Sequence, residues 1–468
     1  MDPITRTLVH FCHALRPSDL SDVVVDRTKY LLLDYLGVAI AGSASDSSQP
    51  VYRMLAHAAS AGPCTVIGTP ARSSPEYAAL ANGTSSHSVE LDDTHQGGSI
   101  HPGVVMFSTA IALSEADPQI DAGEFVAAVV AGYEVAARLA MAVQPKFHYE
   151  LGFHPTSTCG VFGAAVTAAK LLRLGEEQML SAVGIAGSMA AGSLEFLAEG
   201  TWTKRLQPGL AAQNGIQAAR LAAEGFRGPA TILEGRLGFL SAYSRQPRPG
   251  MVTQGLGEDF EILHTSVKPH ACCRYMQAPI DGLIELAIAH DIQPEEVARI
   301  EVAVLEAGWP LVCEPGERKY APANTVDAQF SMPFGAALAL AERAAGLDQF
   351  AAANFDSPIV KNLMGKVVLL KDARIEKNYP LEWPAMVTVH LANGEKIMNY
   401  VRFPKGDPEN PLTWAELAAK FRSLAARVFP ITRCDQIASA VQNINAATVL
   451  GEIWSLAARP ESLSAPAS

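Results

Sequence analysis

The sequence predicts a mostly α-helical protein, with a large all-helical domain and a smaller α+β domain. Three observations carry this expectation. Long Ala-, Leu- and Gly-rich runs follow one another from Asp2 to about Leu263, apolar and polar residues alternate after about His264, and a helical period returns at Thr413. A chain of 468 residues also exceeds one ordinary core, so two domains are expected.

In chain order, DRTKYLLLDYLGVAIAG (Asp26 to Gly42), STCGVFGAAVTAAKLLRLG (Ser157 to Gly175) and GIQAARLAAEGF (Gly215 to Phe226) are the clearest helices of the first domain. Ala and Gly in place of Leu let helix axes approach closely, which suits central helices. No fixed period supports a helical solenoid. The most apolar segment, FVAAVVAGYEVAARLAMAV (Phe125 to Val143), carries Glu134 and Arg138 on one helical face. That marks a buried helix rather than a membrane span. In the second domain, VARIEVAVLEA (Val297 to Ala307) and MVTVHLANGEKIMNYVRF (Met386 to Phe403) read as strands. The latter turns at Asn393-Gly394, the pair that a type I′ hairpin prefers. DGLIELAIAHD (Asp281 to Asp291) and MPFGAALALAERAAG (Met332 to Gly346) read as helices, hence α+β. Helices from TWAELAAKFRSLAARVF (Thr413 to Phe429) onward are expected to pack back onto the first domain, and the tail ARPESLSAPAS to fray.

Apolar residues make up 49% and charged ones 18%, too little charge to solvate a whole surface, so an oligomer is expected. The net charge of -12, with no basic run, argues against nucleic acid as a partner. Seven scattered cysteines without CxxC spacing, and an N-terminus lacking an unbroken apolar run, point to reduced thiols in a cytoplasmic protein with no membrane association.

Four clusters combine ionisable groups with loop-forming residues. They are ELDDTHQGGSIHPG (Glu90 to Gly103) with His87 upstream, LGFHPTST around His154, EGTWTKRLQPG with Lys204 and Arg205, and VKPHACCRYMQ with Lys268, His270, Arg274 and Tyr275. Each has a plain structural reading. Asp92 or Asp93 suits a helix cap, His101 and His154 suit backbone hydrogen bonds beside their prolines, Lys204 suits surface charge, and Cys272-Cys273 suit packing. A magnesium site of the isoprenoid-synthase kind would use Asp92 and Asp93, with NAATVLGE (Asn445 to Glu452) as a second motif. Gln96 stands where a third acid belongs, and Gly97-Gly98 would end the helix such ligands need. No HExxH, zinc-like cysteine spacing, GxGxxG after a strand or GxxxxGK[ST] is present, so no metal or cofactor is expected. What remains suits proton transfer next to a carboxylate: a histidine base, and lysines where negative charge collects. Clustering Lys204, Arg205, Lys268 and Arg274 around one cleft would create a positive site for an anionic substrate.

At these same segments the chain resembles the MmgE/PrpD family, which includes 2-methylcitrate dehydratase, cis-aconitate decarboxylase and iminodisuccinate epimerase. The likeness runs through KYLLLDYLGVAIAG, NGTSSHSVELDDTH and IHPG, GFHPTSTCGVFGAA, EFLAEGTWTKRLQPGLAAQNG, VKPHACCRYMQAPIDGL, RKYAPANTVDAQFSMPF and VRFPKGDPENPLTWAEL. The resemblance implies an all-helical domain of residues 1–264 and 405–468, an α+β lid of 265–404, a homodimer, and a cofactor-free site between domain and lid. It places the family's catalytic acid and hydroxyl at Asp93 and Thr94, its histidines at His101 and His154, its lysines at Lys204 and Lys268, and a lid tyrosine at Tyr320. Arg274 joins them as an expected substrate ligand. Gln277 stands where family members often have a histidine, and glutamine cannot exchange a proton near neutral pH. The expected activity is that of a lyase on a small di- or tricarboxylate, with 2-methylcitrate dehydration first. Cis-aconitate decarboxylation and iminodisuccinate epimerisation are the alternatives, followed by a magnesium enzyme using Asp92 and Asp93 or a non-catalytic scaffold.

Overall fold

The computed structural model describes residues 3–58 and 61–460, so residues 461–468 of the tail expected to fray lie outside the described residues. The fold is mostly helical with a small strand component. Two hydrophobic cores divide it. The larger is built from helices up to Val267, and it takes in Leu417, Phe421, Ile437 and Trp454 from the three C-terminal helices Trp414–Ala425, Ile431–Gln442 and Leu450–Ala457. The smaller runs through residues 271–397 and is completed from the helical side by Val38, Val89, Leu91, Phe196 and Leu424.

At the centre of the larger core lies the helix Ala122–Val143, started by a capping box in which Asp121 and Glu124 each accept from the other's backbone N–H. It is long and apolar enough to cross a membrane, yet 94% of its most apolar stretch is buried inside the protein. Glu134 and Arg138 meet as the spacing predicts, with Arg138 Nε donating to Glu134 at 2.8 Å.

The smaller core packs on a four-stranded sheet ordered Val367–Leu370, Val297–Ala303, Ala385–Leu391, Lys396–Val401. The first pair is parallel and the others antiparallel. The expected hairpin forms, but its turn differs from the two-residue type. Leu391 N–H donates to the Glu395 carbonyl, leaving Ala392, Asn393 and Gly394 as a three-residue loop. Only Gly394 among these has positive φ, at 92°, as a type I turn closing on a left-handed residue requires.

Two local contacts set up the seam between the cores. Thr94–His95 pairs antiparallel with Thr265–Ser266, tying the acidic loop to the segment that leads into Lys268. The helices Pro75–Ser86 and Thr203–Ala223 touch at Gly83 and Gly209, where a Cβ on Gly83 would come within 2.7 Å of Gly209 Cα. No larger residue fits there, and the close approach brings His87, at the end of one helix, toward Lys204 in the first turn of the other.

Candidate active site

The seam encloses a cavity of about 40 Å³, room for only a few waters. Thr94, His101, His154, Lys204 and Arg274 all line it, so four separate sequence clusters converge on one space. Glu90, Ser99, Tyr149, Cys273 and Tyr275 line it as well.

Two imidazoles, His101 and His154, line it, and a third, His87, packs against both from behind the wall. His87 and His101 rings lie 5.0 Å apart, His87 stacks on His154 at 5.8 Å, and His101 and His154 are 6.4 Å apart. Each ring uses Nδ1 to hold itself in place. His87 Nδ1 meets Asp92 Oδ2 at 2.8 Å, His101 Nδ1 meets the Asp93 carbonyl at 2.7 Å, and His154 Nδ1 meets Gln207 Oε1 at 2.7 Å. Gln207 is oriented by its own Nε2–H donating to the Ser193 carbonyl at 2.8 Å, which leaves its oxygen toward His154. All three partners are acceptors, so each Nδ1 carries the proton and each Nε2 is the basic atom. His87 Nε2 has no hydrogen-bond partner among the described residues. Burial lowers the pKa of all three rings, and Lys204 lowers each further. The resting imidazoles are neutral.

The charges around them are paired. Lys204 Nζ donates to Glu90 Oε1 in a short contact, and Lys268 Nζ lies 3.4 Å from Asp92 and 3.6 Å from Glu90. Burial alone would push Glu90 and Asp92 up, but the lysines and histidines around them hold both below the usual carboxylate range. The same two acids outweigh the burial of Lys268 and raise it, whereas burial wins at Lys204 and lowers it. Arg274 Nη2 donates to Asp407 at 2.5 Å, with its guanidinium 5.1 Å from the Trp383 ring. Glu90 sits at φ 55°, a left-handed conformation that costs a non-glycine residue about 1 kcal/mol. Burial keeps the Cys273 thiol up, so it lines the cavity as a neutral group.

Several expected site residues lie elsewhere. The Asp93 carboxylate turns away from the cavity: it accepts from Gly103 N–H at 3.0 and 3.2 Å and from the Tyr133 hydroxyl at 2.6 Å, and burial pushes it up to about 7. It is a helix N-terminal acceptor, and only its carbonyl reaches the site, through His101. Asp92, read from sequence as a structural residue, faces the histidines instead. With Asp92 held by His87 and Lys268, and Asp93 held by Gly103 and Tyr133, the two acids do not converge on a shared magnesium ion. Lys268 lies one layer behind the wall, against Asp92 and Glu90. Gln277 brackets its own loop, accepting from His270 N–H at 3.1 Å and donating to the His270 and Cys272 carbonyls at 3.0 and 3.1 Å. Tyr320 is 39% exposed and donates to the Val367 carbonyl at 2.8 Å, beside the four-stranded sheet and outside the cavity lining. Conversely His87, Glu90 and Asp92 belong to the site without having been assigned to it. The usable signal was their density, three ionisable groups within six residues of a loop.

For a metal, one group among the described residues has suitable spacing: His87, His101 and His154, whose potential ligand atoms lie within 4.8 Å of one another. Lys204 stands beside them and opposes adding a dication. Chemically the arrangement offers several basic nitrogens, a buried ammonium and a guanidinium around a small buried space.

Comparison with known proteins covers nearly the whole chain. The MmgE/PrpD N-terminal domain matches residues 6–251, and the MmgE/PrpD C-terminal domain matches 270–446. A cis-aconitate decarboxylase-like protein of Aspergillus oryzae is 29% identical, over 97% of both chains. The cis-aconitate decarboxylase of Aspergillus terreus is 26% identical over 97% of this chain and 95% of its own, and the human one 25% identical over 94% and 92%.

Proposed function

Because the chain belongs to the MmgE/PrpD family, we propose that it is a cofactor-independent lyase that decarboxylates cis-aconitate or a close relative of it. The observation that carries this reading is the set of three neutral imidazoles, with Nε2 as the basic atom of each, beside Lys204 and Arg274. The relatives, named as cis-aconitate decarboxylases or like them, favour this reaction over the others.

Loss of CO₂ from cis-aconitate to give itaconate needs one proton delivered to the alkene carbon. The bond from the methylene carbon to its carboxylate breaks, the electron pair forms the new terminal C=C, and the old double bond takes up the proton. A neutral imidazole cannot donate that proton, and the substrate itself supplies the remedy. A trianion placed against His101 and His154 raises their pKa, so a proton is taken up from solvent as substrate binds. The resulting Nε2–H of His101 or His154 is then the acid, and Lys204 and Arg274 stabilise the carboxylates as negative charge redistributes. After release the histidine is neutral again and the atoms balance. The substrate exceeds a cavity of about 40 Å³, so the seam between the two cores opens for it.

Dehydration of 2-methylcitrate is a second reading, favoured by histidines close enough for one to act as base and another as acid on the leaving hydroxyl. Incubation with cis-aconitate, 2-methylcitrate and iminodisuccinate in deuterated water, followed by NMR, separates these. Itaconate carrying one deuterium is expected, and consumption of none of the three overturns the lyase reading. The reading includes a homodimer. The low share of charged residues, 18%, supports it.

A further inference from the structure

A second pocket of about 580 Å³ lies beside the catalytic cavity, between the helical body and the lid. Tyr149, Leu194 and Leu311 line both spaces, so one layer of side chains separates them. Leu197, Trp309 and Tyr379 complete an apolar lining. Most charged groups stand at the rim, where Lys146, Glu150, Glu306, Glu314 and Lys371 are exposed; Glu376 is half-buried in the lining and accepts from Glu306 N–H at 2.6 Å, so acids outnumber lysines four to two. Some of these are already engaged, with Glu314 accepting from Trp309 Nε1 at 2.9 Å and the Lys371 ammonium 5.1 Å from the Trp309 ring. Such a space disfavours a carboxylate and suits an uncharged hydrocarbon. The small inner cavity has the opposite character, with histidines, Lys204 and Arg274 on its walls.

Resting on the lyase reading above, we infer that the outer pocket receives an apolar arm of the substrate. The substrate class is then a di- or tricarboxylate bearing an alkyl chain, with its carboxylates in the inner cavity and its chain passing between Leu194 and Leu311. The unsubstituted acid uses only the inner half of this site.

Calorimetric titration of the whole protein with methyl-, butyl- and hexylsuccinate tests the inference without requiring turnover. Each methylene buried from water is expected to tighten binding roughly fourfold, the factor equivalent to about 0.8 kcal/mol. Leu197 touches only the outer pocket, so Leu197→Glu is expected to erase the gain from chain length while methylsuccinate binding and cis-aconitate turnover stay unchanged. Trp309→Ser serves as a second variant should the first fail to fold, judged by circular dichroism. Equal affinities across the three chains, no binding of hexylsuccinate, or a chain-length gain that survives both variants overturns the inference. Cis-aconitate turnover with flat affinities removes this pocket's role alone, whereas rising affinities without turnover of any acid remove the lyase reading alone.

Discussion

Lowering the pH from 7.5 to 5.5 is expected to cost the folded state about 1 kcal/mol through one residue, His148. This ring is fully buried, with Nδ1 donating to the Tyr243 carbonyl and Nε2 meeting the Thr158 hydroxyl, each at 2.8 Å. Burial lowers its pKa from 6.5 to about 4. In the unfolded chain the same ring takes a proton near 6.5. Between those values the unfolded state holds more protons, so stability falls as pH falls. At pH 5.5 the unfolded ring is about nine-tenths protonated and the folded one almost not at all, which gives the stated figure. His87, His101 and His154, all lowered by burial, act in the same direction. Asp93 and Glu134, raised by burial to about 7, act in the opposite one, because their folded forms keep protons that the unfolded chain gives up. The pH slope of the whole protein is therefore a poor observable, and the difference between two proteins is a good one. Urea unfolding of the wild type and of His148→Gln at both pH values gives that difference, whatever the variant's absolute stability. The variant should lose about 1 kcal/mol less than the wild type between the two pH values. Equal losses would refute the assignment of a neutral buried ring.

Further expectations concern the site. A Cβ added at Gly103 would lie 2.7 Å from the Tyr133 hydroxyl oxygen and 2.8 Å from Asp93 Oδ2, so Gly103→Ala should displace Asp93 and lower stability by about 1–3 kcal/mol. Because the Asp93 carbonyl orients His101, turnover should fall as well, with unfolding midpoint and kcat as the two readouts. Lys204→Gln should reduce kcat/KM with cis-aconitate on the order of a hundredfold, and a change below about threefold would exclude Lys204 from the transition state. Exhaustive chelation should leave turnover unchanged, and a loss restored by added metal would reassign the three histidines. Sedimentation velocity should show a dimer, and a monomer at micromolar concentration would remove that part of the proposal.

The helices were legible in the sequence because their apolar period and their Ala and Gly content leave few other ways to bury them. The four reactive clusters were legible as well, since ionisable groups between glycines and prolines are rare inside a core. What the sequence concealed is direction. Asp92 and Asp93 are neighbours in a loop, and which one faces the histidines depends on how that loop is tied down, including the pairing of Thr94 with Ser266, a contact between residues far apart in the chain. Gln277 and Tyr320 were placed by matching segments, which fixes position along the chain and not in space. The hairpin turn shows the same limit on a smaller scale: Asn393-Gly394 announced a turn, but the Leu391–Glu395 hydrogen bond determined its length.

Glu90 gives the resting site a property that its lysines alone would not. Held in a left-handed backbone conformation, it lays the protein's own carboxylate across Lys204, in the position an incoming anion would seek. On the proposed lyase function, Glu90 would be a placeholder for the substrate. Chloride, phosphate or a lone monocarboxylate offers no more than the placeholder already supplies, and gains little by replacing it. The polycarboxylate of the proposed function, together with the protons its charge would draw in, offers more than the occupant it must displace.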